Sequence, residues 1–287
     1  MRFHFQSVFI VALLALVVSA QTADSIQIDD PRPLKAAIDK LENMLGIPIN
    51  YEDPRFASAE DVEDVTDKVQ NSQQRAAHPN VRILVPKGGV LGVSGVASVS
   101  AKPSLGGATA LLTTLHAQHE GNGYPGRFSI QSISSTATVT PASVRSSDGA
   151  WKTAAPAMDS RLTLPYQQRT AADALALLAK NLSQAVGIQV GVGRFPMVAF
   201  ANATVSLGAE NEPAGIVIVR LFEQVSAQYS KTSASQSVYS YRLLYDPGMK
   251  LYFLHVNAVE PVASPVATEP APPPPPKGFL ITVPNKK

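Results

Sequence analysis

Cysteine is missing from all 287 residues. Its absence removes disulfides, thiolate zinc sites, thiol nucleophiles and Cys-linked lipid anchors together. An excess of either charge is missing too: 24 Lys and Arg stand against 22 Asp and Glu, a formal balance of +2. Phosphate recognition needs a clustered basic face, so the balance gives no reason to expect nucleic acid as a partner. Charged residues are 16% and apolar residues 45% of the chain. That composition excludes a disordered acidic chain, a collagen and a disulfide-stapled mini-protein.

Long apolar runs are scarce. One, from Val8 to Val18, follows Arg2 and leads into Ser19-Ala20. A charged start, a short apolar core and a small-residue exit predict a secretory signal peptide over residues 1–20, cleaved before Gln21. The run is well short of the roughly 20 helical residues that span a bilayer; retention as an anchor is the alternative. No later stretch is long and apolar enough to span, so the mature chain is expected to carry no transmembrane segment. An exported chain without cysteine relies on its hydrophobic core, and a bacterial periplasm suits it better than a eukaryotic secretory pathway.

Four stretches carry helical spacing. Leu34, Ala37, Ile38, Leu41 and Leu45 recur at three and four after Asp29-Asp30-Pro31-Arg32-Pro33, and Gly46 supplies a stop. A second helix is expected from Ala108 to His119, a third from Thr170 to Gly187, and a fourth opening at Glu212-Pro213 with Val217, Phe222 and Val225 inward. A short acidic helix capped by Ser58 is expected to carry Val62, Val65 and Val69. Strands are expected at Ile47–Tyr51, Val81–Val85, Phe128–Val144, Ile188–Val192 and Val198–Leu207. Gly88, Gly89, Gly92 and Gly95 predict a conformationally loose stretch. Tyr239, Tyr241, Leu243 and Tyr245 alternate before Asp246-Pro247-Gly248-Met249, which predicts a hairpin returning through Leu251–Val256. Five prolines, Pro272–Pro276, predict a polyproline spacer in a disordered tail that ends in a short apolar segment.

Chemistry-bearing residues are few. His116 and His119 lie three apart on one helix beside Glu120, a spacing that is a weak candidate for a divalent metal. Solvated imidazoles at a helix C-terminus account for them better, so no metal or cofactor is expected. Glu60, Asp61, Glu63 and Asp64 read as a first helical turn. No nucleophile elbow or phosphate loop is present in Gly88–Gly95 or Gly191–Gly193, and catalytic residues are expected to be none. Tyr239, Tyr241 and Tyr252 are expected as core, with a contact surface as the alternative. Trp151 is expected in a loop, plugging an interface or marking a binding edge.

Two helix exits rhyme: Leu45-Gly46-Ile47-Pro48-Ile49 and Val186-Gly187-Ile188-Gln189-Val190. This repetition predicts an α+β chain of two small sandwich-like modules, residues 21–160 and 161–259, each with two helices on a sheet, followed by the tail at 260–287. The order of strand, leucine-rich helix, Gly-Ile strand and a second strand–helix–strand half resembles the short N-terminal domain shared by secretins and TonB-dependent receptors. Residues 162–192 and 205–256 carry the resemblance, and 26–51 with 81–133 form a looser copy. The resemblance implies an α+β sandwich used for protein contacts in the periplasm. The chain departs from it in having no receptor barrel or secretin core after the domain. The expected function is therefore a non-enzymatic, exported protein that makes protein–protein contacts in a bacterial cell envelope. The alternative is a secreted hydrolase or carbohydrate-binding protein with a site between the modules.

Overall fold

Strand β1 (Ser25–Asp30) leads into α1 (Pro33–Leu45) and β2 (Ile49–Glu52). Pro33 fits the first helical turn because its missing N–H needs no partner there. The Arg32 N–H is taken by Asp30 Oδ1 at 2.7 Å, and Gly46 ends α1 in the left-handed region at φ 62°. Leu34, Ala37, Ile38, Leu41 and Leu45 all point into the core, as their spacing predicts. The computed structural model describes residues 25–262, except 71, 78–79, 101, 134 and 230–236. The signal segment and the proline-rich tail from 263 lie outside the described residues.

The stretch from Ser58 to Ser94 departs from expectation. Ser58 Oγ caps only a 3₁₀ turn at Ala59–Asp61. The chain then extends as β3 (Val62–Asp64), which pairs antiparallel with β4 (Leu84–Pro86). Only the short α2 (Thr66–Val69) and α3 (Ser72–Ala77) are helical, and Val69 is exposed. The valines that made an apparent helical stripe are β-branched, and the neighbouring strand gives them an extended alternative. The glycine-rich stretch is likewise a strand, β5 (Gly89–Ser94), paired with β1 along six residues. Leu91 and Val93 face the core between the glycines.

After α4 (Val96–Ser100), helix α5 spans Leu105–Gly121, three residues earlier than Ala108, because Ser104 Oγ accepts the Gly107 N–H at 3.1 Å. Strands β6 (Arg127–Ile133), β7 (Thr136–Arg145) and β8 (Trp151–Thr153) complete this half. The other half runs β9 (Arg161–Thr170), α6 (Ala171–Val186), β10 (Val190–Val192), α7 (Met197–Asn202), β11 (Thr204–Pro213), α8 (Ala214–Tyr229), β12 (Val238–Asp246) and β13 (Leu251–Val259). Thr170 Oγ1 caps α6 at Asp173 N, and Gly187 closes it at φ 66°. The strand expected at Val198–Leu207 is split: Met197–Asn202 coils and extension begins at Thr204.

The protein is mixed α+β. In the first half β1 pairs antiparallel with β5, β2 lies parallel to β7, and β6 is antiparallel to β7. In the second half β9 pairs antiparallel with β11, β10 lies parallel to β13, and β12 is antiparallel to β13. The halves share a sheet, because β12 also lies parallel to β2. The order is β10-β13-β12-β2-β7-β6, with β8 paired to the far part of β7.

Register fixes where the helices sit. Arg242 lies beside Tyr51, and Leu243 beside Glu52. Tyr51 belongs to the core under α1 and α5, whereas Leu243 belongs to the core under α6 and α8. Successive strand residues face opposite sides, so the two helix pairs cover opposite faces of one sheet.

The rhyming glycines differ in their surroundings. A Cβ on Gly187 would meet nothing within 4 Å, but one on Gly46 would fall on the backbone of Glu260, Pro261 and Val262. Gly187→Ala is therefore expected to cost about 1 kcal/mol, the strain of a left-handed alanine. Gly46→Ala is expected to cost more, because the 260–262 backbone must also move. Equilibrium urea unfolding of both variants checks the difference.

Candidate functional surfaces

Where β12 meets β2, the sheet is sealed by buried polar groups. The Arg242 side chain, almost wholly buried, donates from Nε to Asp39 Oδ1 and from Nη2 to Glu42 Oε2, both at 2.9 Å. Its Nη1 donates to the Ile49 carbonyl at 2.5 Å, while the other Glu42 oxygen accepts the Ile49 N–H at 2.8 Å. Asn50 Oδ1 accepts the Tyr241 N–H at 3.0 Å. Buried Asp53 accepts from Arg32 Nε at 2.7 Å, from the Tyr51 hydroxyl at 2.8 Å and from Tyr245 N at 3.1 Å. Glu52 accepts the N–H groups of Ala157 and Met158 at 2.5 and 3.1 Å. Burial outweighs those two donors and pushes its carboxyl up to about 8. This seam is a joint, and its side chains are spent on each other and on backbone.

Because the helix pairs lie on opposite faces, the first half has no helix of its own on one sheet face among the described residues. Thr136, Thr138, Thr140, Asn50 and Gln131 line it, and α8 forms the far wall with Ile216, Val219 and Glu223. Between them is an open cleft of about 430 Å³, floored in part by Met158, Asp159 and Tyr241. Arg220 also lines it, but its guanidinium is held by Glu212 at 2.9 Å. The cleft offers hydroxyls, an aliphatic wall and two carboxylates, Asp159 and Glu223. The threonines alternate with Ala137 and Val139 in the sequence, a period of two that signals one polar and one apolar strand face.

The sheet also has two ends. Ser143 of β7 pairs with Arg127 on one side and Thr153 on the other. Strand β8 therefore lies on the β2 side of β7, and the outer edge of β6 pairs with no strand among the described residues. The outer edge of β10 is open in the same sense.

The residues singled out from the sequence go to different places. Tyr239, Tyr241 and Tyr252 are all buried, which removes them as a contact surface and makes them core. Tyr239 meets Phe200 edge-on at 5.3 Å, and Tyr252 packs on Tyr245 at 5.2 Å. Trp151 lies in β8 rather than in a loop, with Arg127 at 4.3 Å and Arg145 at 5.1 Å from its ring. It is 36% exposed, so the two guanidiniums screen an indole that still meets solvent.

The histidine pair divides. His116 Nε2 accepts the Phe128 N–H at 3.3 Å and lies 3.5 Å from Glu120. His119 is buried, not solvated, between the rings of Tyr124 and Phe128, with Nδ1 unpartnered. Burial and the neighbouring His116 push it down to about 4. Among the described residues no group of three or more His, Cys, Asp or Glu is placed to hold a metal ion. Asp61, read from the sequence as part of a first helical turn, closes a 3₁₀ turn instead and is buried, paired with Arg145 at 2.9 Å. Among the described residues no helix is long and apolar enough to cross a membrane.

Comparison with known proteins finds no match to this chain among family models, curated sequences or solved structures.

Proposed function

We propose that this chain is a non-enzymatic, exported protein that makes protein–protein contacts in a bacterial cell envelope, and that it does so through the free edges of its sheet. The observation that carries the reading is β6. It is a seven-residue edge strand whose sole charge is Arg127 and which contains no proline. Edges not meant for pairing are ordinarily blunted by inward charges, proline or short length, and β6 has little of this protection. An added strand gains main-chain hydrogen bonds without needing a deep pocket. The signal-like segment 1–20 and the resemblance to the secretin and TonB-receptor short domain support the location.

A photo-crosslinking residue at Gln131, exposed on β6, is expected to give discrete adducts in cells. The same residue at Gln184, exposed on α6, is expected to give none. Equal labelling from both positions, or none from Gln131, overturns the reading.

The cleft favours a second reading, a small ligand or glycan held between the threonine face and α8. Specific ligand binding or hydrolysis lost in Asp159→Asn, with edge labelling absent, would establish that reading in place of the first.

A further inference from the structure

We infer that the two ends of the sheet are complementary to each other, so that the contact partner is a second copy of this chain, added head to tail. The inference rests on the edge-contact reading above and names its partner.

In the first half β2 is the outer parallel strand and β6 the outer antiparallel strand; in the second half β10 and β12 hold those positions. Inside the chain an edge of the β12 kind has paired with an edge of the β2 kind. The two edges left over are β6, of the β12 kind, and β10, of the β2 kind. They are the same pair of strand positions, unjoined.

A hydrogen bond independent of the pairing marks β2 and β10 as equivalent. Ile49 N donates to Glu42 Oε1 and Val190 N donates to Ser183 Oγ, each at 2.8 Å and each to a side chain seven residues earlier. Each lies three residues beyond its left-handed glycine, Gly46 or Gly187.

The geometry does not close on itself. The halves carry their helices on opposite faces, and β12, reversed relative to β10 and β13, runs parallel to β2. A half-turn about an axis that crosses the strands, with a shift of three strands, relates two such halves. At about 4.8 Å per strand the shift is about 14 Å. An operation with a shift makes heterologous contacts, which lead to open chains, or to rings where twist brings the ends together.

Register follows from the seam. Tyr51 lies beside Arg242. The matching residue on β10 is Val192, three positions past its glycine-anchored start as Tyr51 is from Pro48 by the 141-residue offset between Ile49 and Val190. The matching residue on β6 is Ser129, because Ile130 faces Val139 as Leu243 faces Leu254, with Val139 and Leu254 beside Tyr51 and Val192. Ser129 of one copy therefore lies beside Val192 of the next. The seam's ion pair has no counterpart there. The places of Arg242, Asp39 and Glu42 are taken by Ser129, Lys180 and Ser183, so the contact between copies is reversible where the seam is permanent.

The absence of cysteine makes the test clean. In purified full-length protein, Ser129→Cys and Val192→Cys chains mixed under mild oxidation are expected to form mixed disulfide dimers, and either alone is expected to stay largely monomeric. The double variant S129C/V192C is expected to give a ladder of multimers. Ser129→Cys mixed with Gln184→Cys is the control, expected to be at least tenfold less crosslinked.

Building the seam's ion pair into the edge, S129R with K180D and S183E, is expected to tighten association at least tenfold in sedimentation. Dominant Ser129–Ser129 dimers, or no preference for the mixed pair with melting unchanged, overturns the inference. Gln131 adducts to other envelope proteins without a ladder would overturn this inference and leave the edge-contact reading standing.

Discussion

Arg242→Met is expected to lower stability by about 3–5 kcal/mol, the range for breaking a buried pair by removing one partner. For a chain of this size that is a melting temperature roughly 10 °C lower. The cost comes from what remains: a buried Glu42 carboxylate, a half-buried Asp39 and an Ile49 carbonyl, all facing an apolar side chain. Arg242→Lys is expected to recover little, because an ammonium cannot span three acceptors with a planar fork. Arg242→Met with Glu42→Gln is expected to recover part of the loss. The amide oxygen can still accept the Ile49 N–H, and the unpaired charge is gone. Thermal unfolding of the set decides it: if R242M melts within about 2 °C of the parent, the seam does not hold the halves together.

That seam was the least legible part of the sequence. The helices were readable because α1 and α6 bury single stripes that end on a left-handed glycine, so local spacing and tertiary burial agree. The hairpin β12–β13 was readable from its alternation, but its turn is one residue longer than Asp246–Met249 implies: Lys250, not Gly248, takes the left-handed position, and its N–H returns to the Asp246 carbonyl. Nothing in the local pattern separates Glu52, Asp53 and Arg242 from ordinary polar residues on half-buried strands. They are buried because β2 and β12 are each other's neighbours, a pairing made across 191 residues that no local pattern encodes. Val62, Val65 and Val69 misled for the converse reason: their spacing fits a helix, but a partner strand twenty residues later is available to extend the first of them. Tyr241 could be read as core or as surface, since tyrosine suits both. The choice was made by α8 lying over its face of the sheet, and Trp151 kept its exposure because no helix among the described residues lies over β8. The candidate cleft and the two sheet ends are products of the offset between the halves, so they exist only once the topology does.

Stability is expected to fall between about pH 6.5 and pH 8, and Glu52→Gln is expected to flatten that fall. The folded-state carboxyl of Glu52 lies at about 8, against an ordinary 4.5, because burial disfavours its charge. Between those values the native state holds a proton that the unfolded chain has released. Stability therefore decreases with rising pH across the window, by about 1.4 kcal/mol per unit at most. His119 works the other way. Its folded-state value of about 4 lies below the ordinary 6.5, so the unfolded chain binds the extra proton and stability is lost as pH falls from about 6.5 to 4. From about 4.5 to 6.5 the two slopes oppose each other and the parent is expected to be nearly level in their combined contribution. Above 6.5 only the Glu52 decline is left, about 2 kcal/mol by pH 8. Each variant removes one of these two slopes, while His255, also pushed down by burial, keeps a slope of the His119 sign in both. Glu52→Gln is expected to gain stability from pH 4 to 6.5 and then hold level. His119→Phe, which keeps an aromatic ring against Tyr124 and Phe128, is expected to shift the profile below pH 6.5 towards the Glu52 decline and to keep the parent's fall above it. Denaturant unfolding across pH reads the slopes directly, and slopes survive any constant offset from imperfect packing or a misdirected amide. A Glu52→Gln profile that keeps the parent's fall above pH 6.5 would show that the proton is held elsewhere.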